Sequence, residues 1–399
     1  MKPEPAAKPG ARQAVPTRLA MPYWRLSGFY LFYFAALGAL VPYWGLYLQD
    51  QGLTPLAIGE LMAILTGTKL ISPPLWGWLA DRGGARMGLV RLACLMAALT
   101  FGAIFLVQGF WGIAAVMFVA SFFWNAALPQ MEAITFNHLG ARANRYAGVR
   151  LWGSVGFILT VGGVGWLLDG RGTWVVPWVV LALFGGIWLA SLLVPDRGHA
   201  PAGPAEEALR RLLRRPEILA FLAACLLMQV SHGAYYAFYS IYLKAAGYDS
   251  RAVGALWAWA VFVEVLVFLG MHRLLDVFGA RRVLLASLAL AVLRWALIGT
   301  MVDLMAVQVL AQALHAATFG AFHASAIHLA HHYFPGRAQG RGQALYNSLS
   351  FGAGGAAGSL LAGWLWTAFT PALTFGVAAL AAGLAWCVAW VWVDPARRY

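Results

Sequence analysis

The sequence has little charge and few cysteines for its length. Only 11% of its 399 residues are charged and 61% are hydrophobic, whereas a soluble domain is about 25% charged and about 45–50% apolar. The three cysteines, Cys94, Cys225 and Cys387, lie singly in apolar runs, which excludes a disulfide framework or a cysteine metal site. We interpret all three as side chains that pack between helices.

Two other patterns are missing. The chain does not show the short alternating segments, about ten residues long, that are typical of membrane β-barrels. Its first 20 residues, MKPEPAAKPGARQAVPTRLA, are basic and proline-rich and contain no apolar core, which argues against a cleaved signal peptide. We interpret this stretch as a disordered cytoplasmic tail, and translation starts at Met1 or Met21.

Long apolar runs recur along the whole chain instead. Each approaches the roughly 20 residues that a helix needs to cross a bilayer, and a helix satisfies its own backbone in lipid. The sequence therefore predicts an all-α integral membrane protein with twelve transmembrane helices. We place them at 25–48, 55–79, 88–107, 110–136, 146–168, 174–194, 217–243, 251–274, 282–301, 303–333, 341–367 and 371–393.

The net charge of +13 is a topology signal and does not indicate nucleic-acid binding. Of the 28 Lys and Arg, we assign 22 to the N-terminal tail and the connections that follow even-numbered helices. The connections that follow odd-numbered helices hold only Arg171, Lys244 and Arg251. The positive-inside rule therefore predicts that both termini are cytoplasmic.

The chain also contains an internal repeat. Eight residues recur at a constant offset of 195; for example, Asp81 and Arg86 correspond to Asp276 and Arg281. We therefore predict two six-helix bundles, which is the architecture of alternating-access transporters, with the site between the halves. The predicted boundaries are a tail at 1–24, bundles at 25–194 and 217–393, a cytoplasmic linker at 195–216 and a tail at 394–399.

The repeat includes the stretch GWLADRGGAR, which begins at Gly77. This stretch resembles the loop signature of the major facilitator superfamily. The resemblance implies that the acidic residue pairs with neighbouring helix ends and that the contact breaks when the halves rock. The alternative is an ordinary positively charged loop. The candidate conformational residues are Gly77, Asp81, Arg82, Gly84, Arg86, Asp276, Gly279 and Arg281.

Charged residues inside the predicted spans are candidate functional residues, because a charge at the bilayer centre costs at least about 2.5–3.5 kcal/mol. Glu132 and Arg150 flank one short connection, each about six residues, or roughly 9 Å, into its helix. They lie at matching depth and can pair. The stretch around them resembles lactose permease, which implies a role in substrate binding; a structural salt bridge is the alternative.

In the second half, the positions of Glu264, Arg294 and His315 also resemble the sugar-binding and proton-coupling positions of lactose permease. However, Thr318 stands where that protein has its coupling carboxylate. We therefore name Glu264 as the first candidate proton carrier, followed by Glu132 and His315. A carboxyl group away from water is readily neutral.

The helix 7 stretch SHGAYYAFYSIYL and the predicted helix 1 resemble the phenylpropionate permease branch of the superfamily. This resemblance implies proton-coupled uptake of an aromatic carboxylate such as 3-phenylpropionate. An excess of buried cations suits a carboxylate, and aromatic side chains, including Trp44, can hold a ring; simple packing of each aromatic is the alternative. The candidate substrate-binding residues are Lys69, Glu132, Arg150, His232, Tyr235, Tyr236, Tyr239, Arg294 and His315.

We therefore expect a secondary transporter of the bacterial inner membrane and not an enzyme. Its expected partners are a small-molecule substrate, protons and the lipid bilayer, without nucleic acid, cofactor or metal, and we expect a monomer. Nucleoside or oligosaccharide symport and drug efflux are alternatives. A membrane-bound transferase is the alternative from another class, but it does not explain the repeat. The Walker pattern GxxxxGK[ST] is absent, which argues against ATP-driven export.

Overall fold

The computed structural model describes residues 21–83, 85–196 and 211–394. Most of the predicted tail at 1–24, most of the predicted linker at 195–216, the end of the chain from residue 395 and Gly84 lie outside the described residues.

Twelve long helices account for nearly all of the described chain. Eleven of them are long and apolar enough to cross a membrane, and a further helix spans 339–368, which confirms the predicted twelve. They are α1 (Tyr23–Asp50), α2 (Pro55–Gly83), α3 (Arg86–Phe105), α4 (Gly109–Leu139), α5 (Tyr146–Arg171), α6 (Val175–Leu193), α7 (Pro216–Ala245), α8 (Ser250–Phe278), α9 (Ala280–Thr300), α10 (Met305–Tyr333), α11 (339–368) and α12 (Pro371–Trp392).

The repeat is visible in the turns that follow α1 and α7. Gly52 and Gly247, which are 195 positions apart, both adopt positive φ angles, of 77° and 90°. Only glycine adopts this conformation readily, so it ends both helices at equivalent points. The next helices then begin on equivalent caps. The side chains of Thr54 and Asp249 accept hydrogen bonds from Ala57 N and Ala252 N at 3.3 and 2.7 Å.

The two halves, α1–α6 and α7–α12, meet through glycines at one end of the molecule, which we call the closed end. A Cβ atom added to Gly165 of α5 would lie 2.6 Å from the Ser250 carbonyl oxygen of α8, and one added to Gly254 would lie 2.7 Å from that of Val161. At the crossing of α2 with α11, a Cβ on Gly59 would lie 2.7 Å from the Gly363 Cα. These positions lie where odd-numbered helices end, so that end is sealed by backbone contact.

The opposite end, which we call the open end, is packed differently. In the described ranges, α3 and α4 make no extensive contact with the second half, and residues 322–333 and 339–347 make none with the first. The halves therefore close the space between them at one end and stand apart at the other. This is one state of an alternating-access arrangement.

Three helices are irregular near their middles. A 3₁₀ turn, Thr68–Leu70, interrupts α2, and π-helical turns occur at Ala316–Ala321 in α10 and at Ser348–Gly354 in α11. The breaks in α2 and α11 face each other, since a Cβ on Gly352 would lie 3.1 Å from the Leu70 backbone nitrogen. Such irregularities are frequent at functional sites because they re-aim side chains.

Candidate functional site

Arg150 of α5 lies between the two halves and has no polar partner among the residues that the structure describes. Its guanidinium carbon sits 3.6 Å from the centre of the Phe34 ring of α1. Gly153 creates the space for this contact, because a Cβ there would come within 2.6 Å of the Phe34 ring and 2.7 Å of an Arg150 nitrogen. Among the described residues, Arg150 forms no hydrogen bond or ion pair, so its donors are available to a ligand.

Two carboxylates lie near this guanidinium. Glu132 of α4 accepts a hydrogen bond from the Tyr146 hydroxyl at 3.0 Å and makes no direct ion pair with Arg150 in the described structure. Arg150 interacts electrostatically with both Glu132 and Glu264. Because Glu264 belongs to α8, the α5–α8 crossing that seals the closed end also places Arg150 near a carboxylate of the other half.

Glu264 faces α10 at the level of its π-helical turn. Its Oε2 atom lies 3.4 Å from His315 Nε2, and the two side chains are only 14% and 6% exposed. Gly320 allows this approach, since a Cβ there would lie 2.9 Å from the Glu264 Cγ. The structure therefore brings together the carboxylate and the imidazole that the sequence analysis named for proton coupling.

Arg294 of α9 is fully buried and enclosed by neutral acceptors. It donates to the Ala311 carbonyl at 2.9 Å, to Thr318 Oγ1 at 3.1 Å and to Gln312 Oε1 at 3.0 Å. Its guanidinium carbon also lies 4.2 Å from the Tyr235 ring centre. Thr318, which replaces the expected carboxylate, thus stabilises a cation. In this state the guanidinium donors point into the second bundle, so Arg294 requires a rearrangement before it can contact a ligand.

The aromatic residues of α7 differ in accessibility. Tyr235 and Tyr239 are fully buried and donate to Gln312 Oε1 and Gln308 Oε1 at 3.1 and 3.2 Å. His232 is also buried, and its Nδ1 atom bonds the Met228 carbonyl at 2.9 Å. Tyr236 is only partly buried, which makes it the most accessible of these four candidates.

Lys69 occupies the 3₁₀ turn of α2. This turn is held against α4 because Asn125 Nδ2 donates to the Leu65 carbonyl at 3.1 Å and to Thr68 Oγ1 at 2.8 Å. Lys69 is partly buried and forms no hydrogen bond or ion pair with any residue that the structure describes. It is therefore a second membrane-embedded cation without a partner in the described part of the protein.

The two repeated loops are bonded differently. Asp81 and Arg86 form an ion pair at 2.6 Å, and the Arg82 guanidinium carbon lies 4.1 Å from the Trp78 ring centre. In the second loop, Asp276 is exposed, and Arg281 donates to the carbonyl of Val393, the residue that follows α12, at 2.6 Å.

The remaining loop candidates are glycines. Gly77 lies inside α2, where an added Cβ would only touch Gln130 Nε2 at 3.6 Å. Gly279 has a φ of 76° and separates α8 from α9, which suits glycine. The predicted role of Gly84 concerns a position outside the described residues.

Two further arrangements are not evident from the sequence. At the closed end, the Asp169 carboxylate of α5 accepts from the Ser250 backbone N at 2.9 Å and lies 3.0 Å from Arg251 Nε of α8. In α10, His323 Nδ1 lies 3.0 Å from the Tyr346 hydroxyl of α11. A polar residue in each span was the available signal, but the partner in each case is set by tertiary packing.

Two six-helix halves, sealed at one end around membrane-embedded charges, define a membrane transporter of the alternating-access class. Residues 23–377 match the model of the MFS_1-like family. The chain belongs to this family of the major facilitator superfamily, as the resemblance of its loops implied, and it is a secondary transporter and not an enzyme.

Two named relatives align with most of the chain. It is 31% identical over 362 residues to a probable 3-phenylpropionic acid transporter of Escherichia coli, an alignment that covers 86% of this chain and 90% of the relative. It is 28% identical over 340 residues to the maltose permease of Geobacillus stearothermophilus, which covers 84% and 86% of the two chains.

Solved structures share the fold at low sequence identity. A mutant of the nucleoside transporter NupG matches with a TM-score of 0.83 at 16% identity, covering 93% of this chain and all (100%) of that one. The POT family transporter PepTSo matches with a TM-score of 0.72 at 15% identity, covering 93% and 97%. These similarities establish the major facilitator fold.

Proposed function

We propose that this protein takes up a small aromatic carboxylate, such as 3-phenylpropionate, together with protons across the bacterial inner membrane. The observation that carries the proposal is the unpaired Arg150 guanidinium stacked on Phe34 at 3.6 Å. A guanidinium offers a fork of donors that matches a carboxylate, and the adjacent ring offers an aromatic surface. A single compact site can thus bind both the carboxylate and the aromatic ring of an arylalkanoate.

The balance of charge supports an anionic substrate. Lys69 and Arg150 have no polar partner among the described residues, and the buried Arg294 is bonded only to neutral oxygens. A buried cation is costly unless it is paired. A substrate carboxylate supplies the missing negative charge when the halves close around it. The similarity to the probable 3-phenylpropionic acid transporter of E. coli agrees with this chemistry.

The proton is assigned to Glu264 and His315, with Glu132 as the second carboxylate. Glu264 lies 3.4 Å from His315 and interacts electrostatically with Arg150. When Glu264 is protonated, Arg150 is free to bind an anionic substrate; when Glu264 is ionised, it competes with that anion for the guanidinium. Proton and substrate binding therefore favour each other at Arg150.

The direction of opening follows from the charge distribution. With both termini cytoplasmic, as the positive-inside rule indicates, the open end faces the cytoplasm and the closed end faces the periplasm. In this proposal the structure is the inward-facing state, from which substrate and proton leave.

The proposal is tested in proteoliposomes under an imposed inward proton gradient. We expect accumulation of radiolabelled 3-phenylpropionate, and no accumulation of maltose or uridine. Accumulation of maltose or uridine alone would instead support sugar or nucleoside symport, which the maltose permease relative makes the second candidate. Gradient-driven extrusion from inverted vesicles is the result expected of an efflux pump.

Arg150→Gln tests the binding site itself. Loss of a charged hydrogen bond costs about 1.5–3 kcal/mol, so we expect the half-saturating concentration of 3-phenylpropionate to rise about tenfold or more. Arg273→Gln is the matched control, because Arg273 is exposed at the end of α8 and should transport normally. If the two variants have the same half-saturating concentration, Arg150 is not part of the binding site.

A further inference from the structure

Three rings are stacked in a column on α10. The ring centres of His315 and Phe319 lie 5.2 Å apart, with an angle of 6° between the ring planes. The ring centres of Phe319 and His323 lie 6.3 Å apart, with an angle of 11° between the planes. The column starts at Glu264, which contacts His315, and runs toward the open end. It connects Glu264, whose side chain is only 14% exposed, with the part of α10 that stands apart from the first half.

The π-helical turn produces this alignment. In a regular α-helix, residues four apart are rotated by about 40° and residues eight apart by about 80°, so three rings at this spacing would diverge. The turn Ala316–Ala321 is wider than an α-helical turn and offsets that rotation. His323 is therefore directed to the same side of α10 as His315, about 12 Å further along the helix at 1.5 Å per residue.

The surroundings of His323 suit a group that gains and loses a proton. Its Nδ1 atom lies 3.0 Å from the Tyr346 hydroxyl. The ring centre of Phe351 of α11 lies 5.6 Å from the centre of the His323 ring. The charged groups that face it are Glu264 of α8 and Arg150 of α5, both of which interact with it electrostatically. His323 is only partly buried, whereas His315 is 5% exposed.

We propose that His323, oriented by Tyr346, transfers the coupled proton between Glu264 and the water at the open end. This inference rests on the proposed proton coupling. In the tautomer with its hydrogen on Nδ1, the ring donates to the Tyr346 oxygen and leaves Nε2 to accept. The Glu264 carboxyl group gives its proton to Nε2 by way of intervening water. The products are a carboxylate and an imidazolium, which then loses the Nε2 proton to water.

His315 has a different part in this scheme. It is the more enclosed histidine and lies two turns further from the open end. Its contact with Glu264 stabilises that carboxylate after the proton has left. The transfer to water falls to His323, because among the three titratable groups His315, His323 and Glu264 it lies nearest the open end.

The test compares two modes of transport. We expect His323→Gln to reduce gradient-driven uptake of 3-phenylpropionate by about tenfold or more, as for loss of a proton-transfer group. Counterflow without a gradient needs no net proton release and should stay within about twofold of wild type. Counterflow also reports that the variant is folded. Unchanged uptake, or parallel loss of both activities, would overturn the proposal.

Two further variants sharpen the assignment. His331→Gln is the control, because His331 lies on the same helix, is exposed and bonds Gln343 at 3.1 Å; it should match wild type in both assays. Tyr346→Phe keeps the ring but removes the oxygen that orients His323. We expect the pH dependence of gradient-driven uptake to change while counterflow persists. An unchanged pH profile would overturn the role of Tyr346.

A measurement without substrate separates this inference from the proposed function. If the wild-type protein fails to accumulate 3-phenylpropionate, the proposed substrate is wrong, and the proton path is still testable. The His323 ring signal in a histidine-labelled NMR spectrum is identified by its loss in His323→Gln. Its titration midpoint should differ between wild type and Glu264→Gln. Identical midpoints would show that His323 does not respond to the charge of Glu264 and would overturn the proposed proton path.

Discussion

Asp169 joins the two halves of the transporter to each other through Arg251. The two side chains lie 3.0 Å apart, and the same carboxylate accepts a hydrogen bond from the Ser250 backbone N at 2.9 Å. Because Arg251 is 62% exposed, the ion pair contributes little, about 0.2–1 kcal/mol. The bond to the first turn of α8 adds to it, since a carboxylate is favoured at a helix N-terminus.

Removal of this carboxylate should weaken the closed end. We expect Asp169→Ala to shift the equilibrium toward opening of that end by about fivefold, equivalent to about 1 kcal/mol. Arg251→Gln should have a smaller effect, because the bond to Ser250 remains. Spin labels at Arg171→Cys and Ala245→Cys, with the exposed Cys387 replaced, measure the distance distribution. Equal distance distributions in the wild type, Asp169→Ala and Arg251→Gln would contradict a role for Asp169.

The glycine crossing of α5 and α8 should tolerate no side chain. A Cβ on Gly165 would lie 2.6 Å from a backbone oxygen, so Gly165→Ala should push the halves apart and favour the state that is open at this end. Gly162→Ala is the control on the same helix, where no atom of the described residues lies within 4 Å of the added Cβ. The same spin-label distances should lengthen in Gly165→Ala but not in Gly162→Ala. Equal distances in the two variants would argue against backbone contact as the seal.

Gly153→Ala should weaken substrate binding without changing any charge. The added methyl group would meet both the Phe34 ring and the Arg150 guanidinium, which must then separate. We expect the half-saturating concentration for counterflow of 3-phenylpropionate to rise several-fold. Gly163→Ala, also on α5 and with open space around it, should behave as wild type. A normal half-saturating concentration in Gly153→Ala would show that the Arg150–Phe34 contact is not part of the site.

Glu264→Gln should uncouple transport from the proton gradient. Glutamine keeps the shape of the side chain near His315 but cannot exchange a proton. We expect gradient-driven accumulation to be abolished and counterflow to persist. Glu60→Gln, at a partly buried position of α2, is the matched control. If gradient-driven uptake persists in Glu264→Gln, the coupled proton is carried by Glu132 or by a histidine instead.

The two repeated loops should not be equally sensitive. Asp81 is bonded to Arg86, whereas Asp276 is exposed and the Arg281 of its loop instead holds the end of α12. We therefore expect Asp81→Ala to lower the initial rate of counterflow more than Asp276→Ala. The amount of protein in the vesicles must be matched. A larger loss in Asp276→Ala would contradict the pairing seen here.

The helices and the repeat are well determined by the sequence, while partners across helices are not. Apolar length predicts the twelve helices, and the offset between Gly52 and Gly247 predicts equivalent turns, because both depend on local chemistry. Matching depth placed Glu132 near Arg150, but depth alone does not reveal that Tyr146 bonds the carboxylate. The His323 column depends on one wide turn, which a period of 3.6 residues does not predict.

Contacts between charged residues that are far apart in the chain also could not be predicted from the sequence. Asp169 stands at the end of a predicted helix and, on sequence grounds, is an ordinary interfacial residue. Its partner lies 81 positions away in the other half and is set by the crossing of α5 with α8. The topology of both termini and the substrate contacts remain predictions, since they depend on the membrane and on a ligand.

The glycine contacts at the closed end have a mechanical consequence. Van der Waals attraction between helix backbones falls by about a quarter to a half over a gap of only 0.5–1 Å, and glycines have no long side chain that could follow a retreating neighbour. The free energy of the seal therefore changes steeply with separation. We expect this end to be either shut or fully parted, with few partly open intermediates through which protons could leak.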